Sequence, residues 1–282
     1  MLLGLGTPAA PAAASGLVPT PEEVVNAGPM VMALTFDDGP SPQYTPQVLD
    51  RLRDHRVRAT FFVCGDNVVR YPAVVRRIVR EGHTLGNHTW SHPRLDGLVT
   101  ADVRDQIQRT QDVITRISGH RPVLFRAPYG RFTDSALALC AELGLRPISW
   151  SVDPKDWANP GAGTIAGRVL AGAAGGAIVL NHDGVEGGDD NPQPGTGADR
   201  SQTVAALNTY LPRLIAAGYR FTTPDRHPPA QSGSPAASAR HWISRPRTGS
   251  PCLPLRSGET KARSSNWLRN ADAGARQHLQ NI

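Results

Sequence analysis

The sequence predicts an α/β domain built on a mostly parallel β-sheet. Short apolar runs recur along the chain, and stretches with helical spacing separate them. The predicted strands are Met30–Phe36, Ala59–Val63, Thr84–Asn87, Val123–Ala127, Pro147–Ser151, Ala177–Asn181 and Tyr219–Thr222. Strand and helix alternating about seven times fits a barrel or an open doubly wound sheet, and the periodicity alone does not choose between them.

Five stretches between these runs have the spacing or the boundary residues of helices. In the first, Val48, Leu49 and Leu52 share one face. Pro72 opens the second, Thr100 is the predicted N-cap of the third, and glycine follows the last two. The predicted helices are Thr45–Asp54, Pro72–Glu81, Thr100–Ser118, Asp134–Leu143 and Arg200–Ala217.

Composition and charge divide the 282-residue chain into three parts. Residues 1–28 are rich in Ala and Pro and predict a leader or a truncated export signal, although the positive N-terminal region of a signal peptide is missing. Residues 29–226 form the predicted catalytic domain, and residues 1–226 together hold 22 basic and 22 acidic residues. Residues 227–282 hold 8 basic and 2 acidic residues, which accounts for the net charge of +6, and predict a disordered tail.

This distribution excludes several classes of protein. The body has no net charge and no recognised nucleic-acid motif, so we expect no nucleic-acid partner. No apolar run is long enough to span a bilayer. Cys64, Cys140 and Cys252 form no CxxC pair, which argues against a thiolate zinc site. Cys64 and Cys140 are predicted to be small core residues, and a disulfide between them is possible without specific support.

Polar residues follow the first and third predicted strands. Asp37 and Asp38 are adjacent carboxylates that can take two roles, although Asp-Asp-Gly-Pro is also good turn chemistry. His88 and His92, four residues apart, are predicted to lie on one side of a helical turn, within reach of one metal ion. They could equally be two surface histidines. Two imidazoles and one carboxylate would leave metal positions open for water and substrate.

Three later strand ends add groups that complement this set. Arg126 can make a two-pronged contact with a carboxylate, or it can lie in a surface turn. Asp156 and Trp157 can line a sugar pocket, or they can belong to a solvated loop. His182 adds a further imidazole, although a single histidine at a strand end is often structural. The carboxyl ends of parallel strands share one face of a sheet, so these residues are expected to meet there.

Together the five motifs resemble those of the polysaccharide deacetylase (NodB-like) family of carbohydrate esterases. They occur in the family's order between Thr35 and His182, and the likeness continues to about Pro224. The resemblance implies a distorted (β/α) barrel, usually with seven strands, and a divalent metal ion, Zn²⁺ or alternatively Co²⁺.

The resemblance also implies a role for each matching residue. Asp38, His88 and His92 resemble the metal ligands, Asp37 the general base, and Arg126 the residue that orients it. His182 resembles the general acid and Asp156 the carboxylate that tunes it. The remaining matches concern substrate: the backbone N–H of Tyr129 resembles an oxyanion donor, and the acetyl pocket is lined by Trp157 and Leu180.

We therefore expect a secreted or wall-associated hydrolase, active as a monomer, on an acetylated polysaccharide. It would remove N-acetyl groups from N-acetylglucosamine units of peptidoglycan or chitin oligomers and release acetate. Two alternatives stay open: an O-acetyl esterase acting on acetylxylan, and a non-catalytic protein that binds wall glycans. The second is disfavoured because every motif residue is present.

Overall fold

A computed structural model describes residues 18–185, 187–188 and 196–228 of the chain. Seven strands form one parallel sheet: β1 (Val31–Asp37), β2 (Thr60–Val63), β3 (Thr84–Asn87), β4 (Leu124–Phe125), β5 (Arg146–Pro147), β6 (Ile178–His182) and β7 (Arg220–Thr222). Their order in the sheet is β5-β4-β3-β2-β1-β6, and β7 pairs with the first half of β1. The predicted parallel sheet is confirmed, and every predicted strand overlaps an observed one.

The five predicted helices are present, together with two that were not predicted: Gly65–Arg70, which has only six residues, and Ala162–Ala171, which carries two glycines. Thr100 is the first helical residue rather than the N-cap, which is Val99. The helices are α1 (Tyr44–Asp54), α2 (Gly65–Arg70), α3 (Pro72–Arg80), α4 (Thr100–Ser118), α5 (Asp134–Leu143), α6 (Ala162–Ala171) and α7 (Ser201–Ala216). Within the described ranges, no helix has the length and apolarity that a membrane crossing requires.

The sheet curls into a distorted barrel, and isolated bridges span the gap between its two end strands, β5 and β6. After β5 the chain crosses toward β6, where Val152 pairs with Val179. Residues 22–25 also enter the gap between the two strands, through bridges to Ile148 and Ala177. These residues pack on the sheet although they precede residue 29, where the sequence predicts the domain to begin. Residues 1–17 of the predicted leader and residues 229–282 of the predicted basic tail lie outside the described residues.

The interior of the barrel is filled with apolar side chains at one end and polar ones at the other. Side chains alternate between the two faces of a strand, so Ala33, Thr35 and Asp37 of β1 share the inner face. Ala33 belongs to an apolar cluster that plugs the barrel. Its members come from four strands, from the residue after β5 and from the N-terminal segment: Val25, Ala33, Phe62, Leu124, Ile148 and Ile178. On β1, the polar residues of the inner face, Thr35 and Asp37, therefore lie at the carboxyl end of the strand.

Cys64 and Cys140 are both buried, and no disulfide joins them. Cys64 directly follows β2, and Cys140 lies within α5. Burial raises the pKa of the Cys140 thiol to about 12, so this thiol stays protonated and unreactive. The prediction that both are small core residues is confirmed.

Candidate metal and catalytic site

A cavity of about 710 Å³ opens at the carboxyl ends of the strands. Eight of the ten residues singled out from the sequence line it: Asp37, Asp38, His88, His92, Tyr129, Trp157, Leu180 and His182. The other two, Arg126 and Asp156, are fully buried behind it and contact Asp37 and His182. The fold thus brings together residues that lie up to 145 positions apart, from Asp37 to His182.

Asp37 and Asp38 point in different directions, as the sequence predicts. Asp37 is the last residue of β1 and continues its inner face, toward Arg126. Asp38 has a φ of 71°, a left-handed conformation that turns its carboxylate toward the two histidines. Asp37 therefore pairs with Arg126, whereas Asp38 contacts both histidines.

Asp38, His88 and His92 form a compact set of metal donors. The Asp38 Oδ1 atom lies 3.3 Å from His88 Nε2 and 3.3 Å from His92 Nε2. All three side chains are buried, and one donor atom from each lies within 4.8 Å of the others. Donors about 2.0–2.1 Å from a tetrahedral Zn²⁺ ion stand about 3.3 Å apart. The spacing and the donor types therefore fit one divalent ion.

The segment between the two histidines is a loop, so the predicted helical turn is wrong. Thr89 and His92 both have positive φ angles, 69° and 57°, and these bend the chain so that the imidazoles converge. The imidazole Nδ1 of His88 lies 2.8 Å from the backbone oxygen of Arg126. Because that carbonyl can only accept, Nδ1 carries the proton and Nε2 presents a lone pair to the metal position.

The protonation of the three donors reflects their mutual contact. Burial lowers the pKa of His92 to about 4, helped by the nearby His88, so His92 is neutral at physiological pH. Burial would also lower the pKa of His88, but Asp37 and Asp38 outweigh it and raise that pKa. Burial would raise the pKa of Asp38, but the surrounding histidines lower it. A proton and a metal ion would compete for the same position between His88 and Asp38.

Arg126 fixes Asp37 through a network inside the barrel. Its Nη1 donates to Asp37 Oδ1 at 2.7 Å and to Thr35 Oγ1 at 2.7 Å. Its Nε and Nη2 donate to the carbonyls of Ile148 and Ser149, and its guanidinium lies 4.2 Å from the ring centroid of Phe62. Asp37 Oδ1 is thereby occupied, which leaves Oδ2, 3.7 Å from His88 Nε2, on the metal side.

Replacing Arg126 with Ala should lower the free energy of unfolding by about 3–5 kcal/mol, because it leaves Asp37 as a buried, unpaired carboxylate. Arg104 provides the control, because it forms a similarly short pair with Glu142 at 2.6 Å but both side chains are exposed. We expect Arg104→Ala to change stability little. Urea denaturation of both variants measures the difference, and equal losses would contradict the role assigned to Arg126.

His182 is paired with the buried carboxylate of Asp156. The Nδ1 of His182 lies 2.7 Å from Asp156 Oδ1, and its backbone N–H donates to Asp156 Oδ2 at 2.7 Å. Thr203 and the backbone N–H of Trp157 also donate to this carboxylate. Burial would lower the pKa of His182, but Asp156 outweighs it and raises that pKa to about 9. His182 is therefore protonated at neutral pH.

The remaining predicted residues form the rim and wall of the cavity. Tyr129 has a φ of 58°, and its ring lies 4.6 Å from that of His92, while about half of the side chain is exposed. Trp157 is also about half exposed, and Leu180 is buried in the wall. Two aromatic faces at the mouth and an apolar residue below them suit a sugar ring carrying an acetyl group.

Several contributing residues were not singled out from the sequence. Thr35 lies two residues before Asp37 on the same face, so the strand period could have identified it. Trp150 lines the cavity and packs against Gly130. The only sequence feature that could have identified it is an aromatic residue near the end of a predicted strand. Thr203 lies inside a predicted helix, and its contact with Asp156 depends on tertiary packing that has no local signature.

Comparison with known proteins identifies the family. Residues 25–148 match the polysaccharide deacetylase family. The chain is 45% identical over 189 residues to a chitooligosaccharide deacetylase of Bradyrhizobium sp., covering 67% of this chain and 86% of that protein. It is 38% identical over 192 residues to a peptidoglycan-N-acetylglucosamine deacetylase of Bacillus cereus, covering 68% of this chain and 66% of that protein. A crystal structure of a peptidoglycan N-acetylglucosamine deacetylase bound to an N-hydroxybenzamide superposes with a TM-score of 0.66 at 36% identity, covering 73% of this chain and 91% of the other.

The chain therefore belongs to the polysaccharide deacetylase family, as its motifs indicate. Deacetylases of this family depend in general on a bound metal, and Asp38, His88 and His92 are the candidate ligands. The chain spans 66% of the Bacillus cereus relative and 38% of a Listeria monocytogenes relative of the same kind.

Proposed function

We propose that this chain is a metal-dependent hydrolase that removes N-acetyl groups from N-acetylglucosamine-type polysaccharide and releases acetate. The observation that carries the proposal is one cavity lined by a metal donor set, by Asp37 and by His182. Asp37 and His182 are neighbours across the pairing of β1 with β6. Amide hydrolysis needs both a base and an acid, and these two residues supply them within one site.

Asp38, His88 and His92 would hold the metal ion. We propose Zn²⁺, with Co²⁺ as an alternative, since two imidazoles and one carboxylate suit both. When bound, such an ion polarises a carbonyl and acidifies water. The buried donors and the 3.3 Å spacings around Asp38 Oδ1 support this assignment.

Asp37 and His182 would move the protons. Asp37 Oδ2 faces the metal side and can take a proton from the attacking water, because Arg126 holds the other oxygen. His182 donates a hydrogen bond from Nδ1 to Asp156, which directs its second nitrogen, Nε2, away from that carboxylate. Nε2 would then donate a proton to the departing amine. The rim residues Tyr129 and Trp157 would hold the sugar, and Leu180 would contact the acetyl methyl.

The substrate class comes from the relatives and from the shape of the cavity. Similar proteins are named for peptidoglycan N-acetylglucosamine and for chitooligosaccharides, and both contain N-acetylated glucosamine. A cavity of about 710 Å³, open at its mouth, suits one sugar unit of a longer chain. We propose that the chain acts as a monomer, secreted or at the cell wall, where such polymers occur.

Acetate release from a glycan panel tests this function. The full chain loaded with Zn²⁺ is incubated with chitin oligomers, peptidoglycan and acetylxylan, and products are identified by mass spectrometry. We expect loss of one acetyl group per reacting glucosamine, abolition by a chelator, and recovery with Zn²⁺ or Co²⁺. Release from acetylxylan alone would favour the O-acetyl esterase, and glycan binding without any release would favour the non-catalytic protein.

A further inference from the structure

The turn formed by Asp38 and Gly39, here the Asp38 turn, is held by side chains outside the proposed chemistry. Asp38 has a φ of 71°, in the left-handed region that side chains with a Cβ atom rarely adopt. A residue stays in that conformation when its surroundings fix it there. Two separate contacts do so.

Asn67 of α2 makes the first contact. It is fully buried, and its Nδ2 donates to the backbone oxygen of Asp38 at 2.8 Å and to that of Val185 at 2.9 Å. Val185 lies three residues after His182. The amide group of Asn67 thus links the backbone of Asp38 to the segment that follows His182.

The Thr45–Asp183 pair makes the second contact. Thr45 Oγ1 accepts the backbone N–H of Ser41 at 2.7 Å and donates to Asp183 Oδ2. A Cβ atom on Gly39 would lie only 2.6 Å from both carboxylate oxygens of Asp183, so the glycine packs directly against this carboxylate. The Thr45–Asp183 pair therefore packs against the Asp38 turn on the side where β6 ends.

Asp183 is placed there at a cost to stability. The residue is fully buried, and its Oδ1 atom has no hydrogen-bond partner in the described part of the chain. A buried carboxylate with an unsatisfied oxygen is unfavourable for folding. Gly184 adds a further close contact, since a Cβ on it would lie 2.7 Å from the Asp38 backbone oxygen.

We propose that Asn67 and the Thr45–Asp183 pair are positioning residues that clamp the Asp38 turn to the segment after His182. None of these three residues lines the cavity. They hold the backbone of Asp38 in the left-handed conformation that points its carboxylate at His88 and His92. The inference rests on the metal site of the proposed function, and groups that orient metal ligands commonly change metal affinity by about 10–100-fold.

The first turn of α1 offers a matched pair of variants. Thr45→Val deletes a buried hydroxyl that donates to Asp183, and Tyr44→Phe deletes a neighbouring hydroxyl that donates to Asp199 at 3.0 Å. Only the first deletion reaches the Asp38 turn. Competition with a coloured chelator gives the Zn²⁺ affinity of each folded variant. We expect at least about a tenfold loss for Thr45→Val, recovery in Thr45→Ser, and unchanged affinity for Tyr44→Phe.

Asn67→Asp provides an independent variant, because it keeps the size of the side chain but removes the two donated hydrogen bonds. It should also weaken Zn²⁺ binding at least about tenfold. Unchanged affinity in Asn67→Asp, or equal affinities in Thr45→Val and Tyr44→Phe, with tight binding by the wild type, would overturn the clamp alone. Failure of the wild-type chain to bind Zn²⁺ would refute the proposed metal site and the clamp with it.

Discussion

Asp37→Asn should lower the turnover of an N-acetylglucosamine oligomer by about 10²–10⁴-fold, the range that a positioned base contributes. The amide keeps the shape of the side chain and can still accept the hydrogen bond from Arg126. It cannot take a proton on the atom that faces the metal side, which lies 3.7 Å from His88 Nε2. The loss should therefore appear in kcat, measured as acetate release.

Zn²⁺ affinity separates this loss from damage to the metal site. Asp37 pairs with Arg126 and is not one of the three metal donors, so Asp37→Asn should still bind Zn²⁺. His88→Ala should lose both the metal and the activity. Near-normal turnover of Asp37→Asn, with a deacetylated product, would show that another group is the base.

The predicted site residues could be found from the sequence because each follows or ends an apolar run. Parallel strands share one orientation, so their carboxyl ends converge without any further information. This reasoning places Asp37 on β1 and His182 on β6 in one cavity. It fails for Asn67 and Thr45, which lie in helices and reach the Asp38 turn only through tertiary packing.

The sequence predicts a parallel sheet with helices. Local periodicity does not predict where the chain leaves a strand or how a loop bends. The run Pro147–Ser151 is predicted to be a strand, but only Arg146–Pro147 forms a regular one, because the chain then crosses to β6. The bend at His88–His92 depends on two left-handed residues, Thr89 and His92, and neither is a glycine. Tertiary contacts determine both the early end of β5 and the bend at His88–His92, and no local sequence pattern predicts either.

His182→Ala should lower amide turnover by about 10²–10⁴-fold but affect an activated ester much less. The departing amine of an N-acetyl group must gain a proton, and His182 lines the cavity and is protonated at neutral pH. The phenolate that leaves 4-nitrophenyl acetate needs no proton. Rates on the two substrates, measured with the same Zn²⁺-loaded variant, give the comparison, and equal losses on both would contradict the role of His182 as the acid.

The pH dependence of kcat tests the same assignment through Asp156. Burial would lower the pKa of His182, and Asp156 raises it to about 9, with smaller contributions from Asp38 and Asp37. Since the protonated form is the acid, kcat should fall as the pH rises through this pKa. A bound divalent cation offsets the charges of Asp37 and Asp38, so the fall should lie at or below pH 9.

Asp156→Asn removes the charge that contributes most to stabilising the imidazolium of His182. The alkaline limb of its kcat–pH profile, where kcat falls as the pH rises, should therefore move to lower pH. At a pH above the shifted limb the variant loses activity because His182 is neutral, and activity should recover as the pH is lowered. Loss of a merely structural contact would reduce kcat at every pH without moving the limb. A limb unchanged from the wild type would mean that a group other than His182 donates the proton.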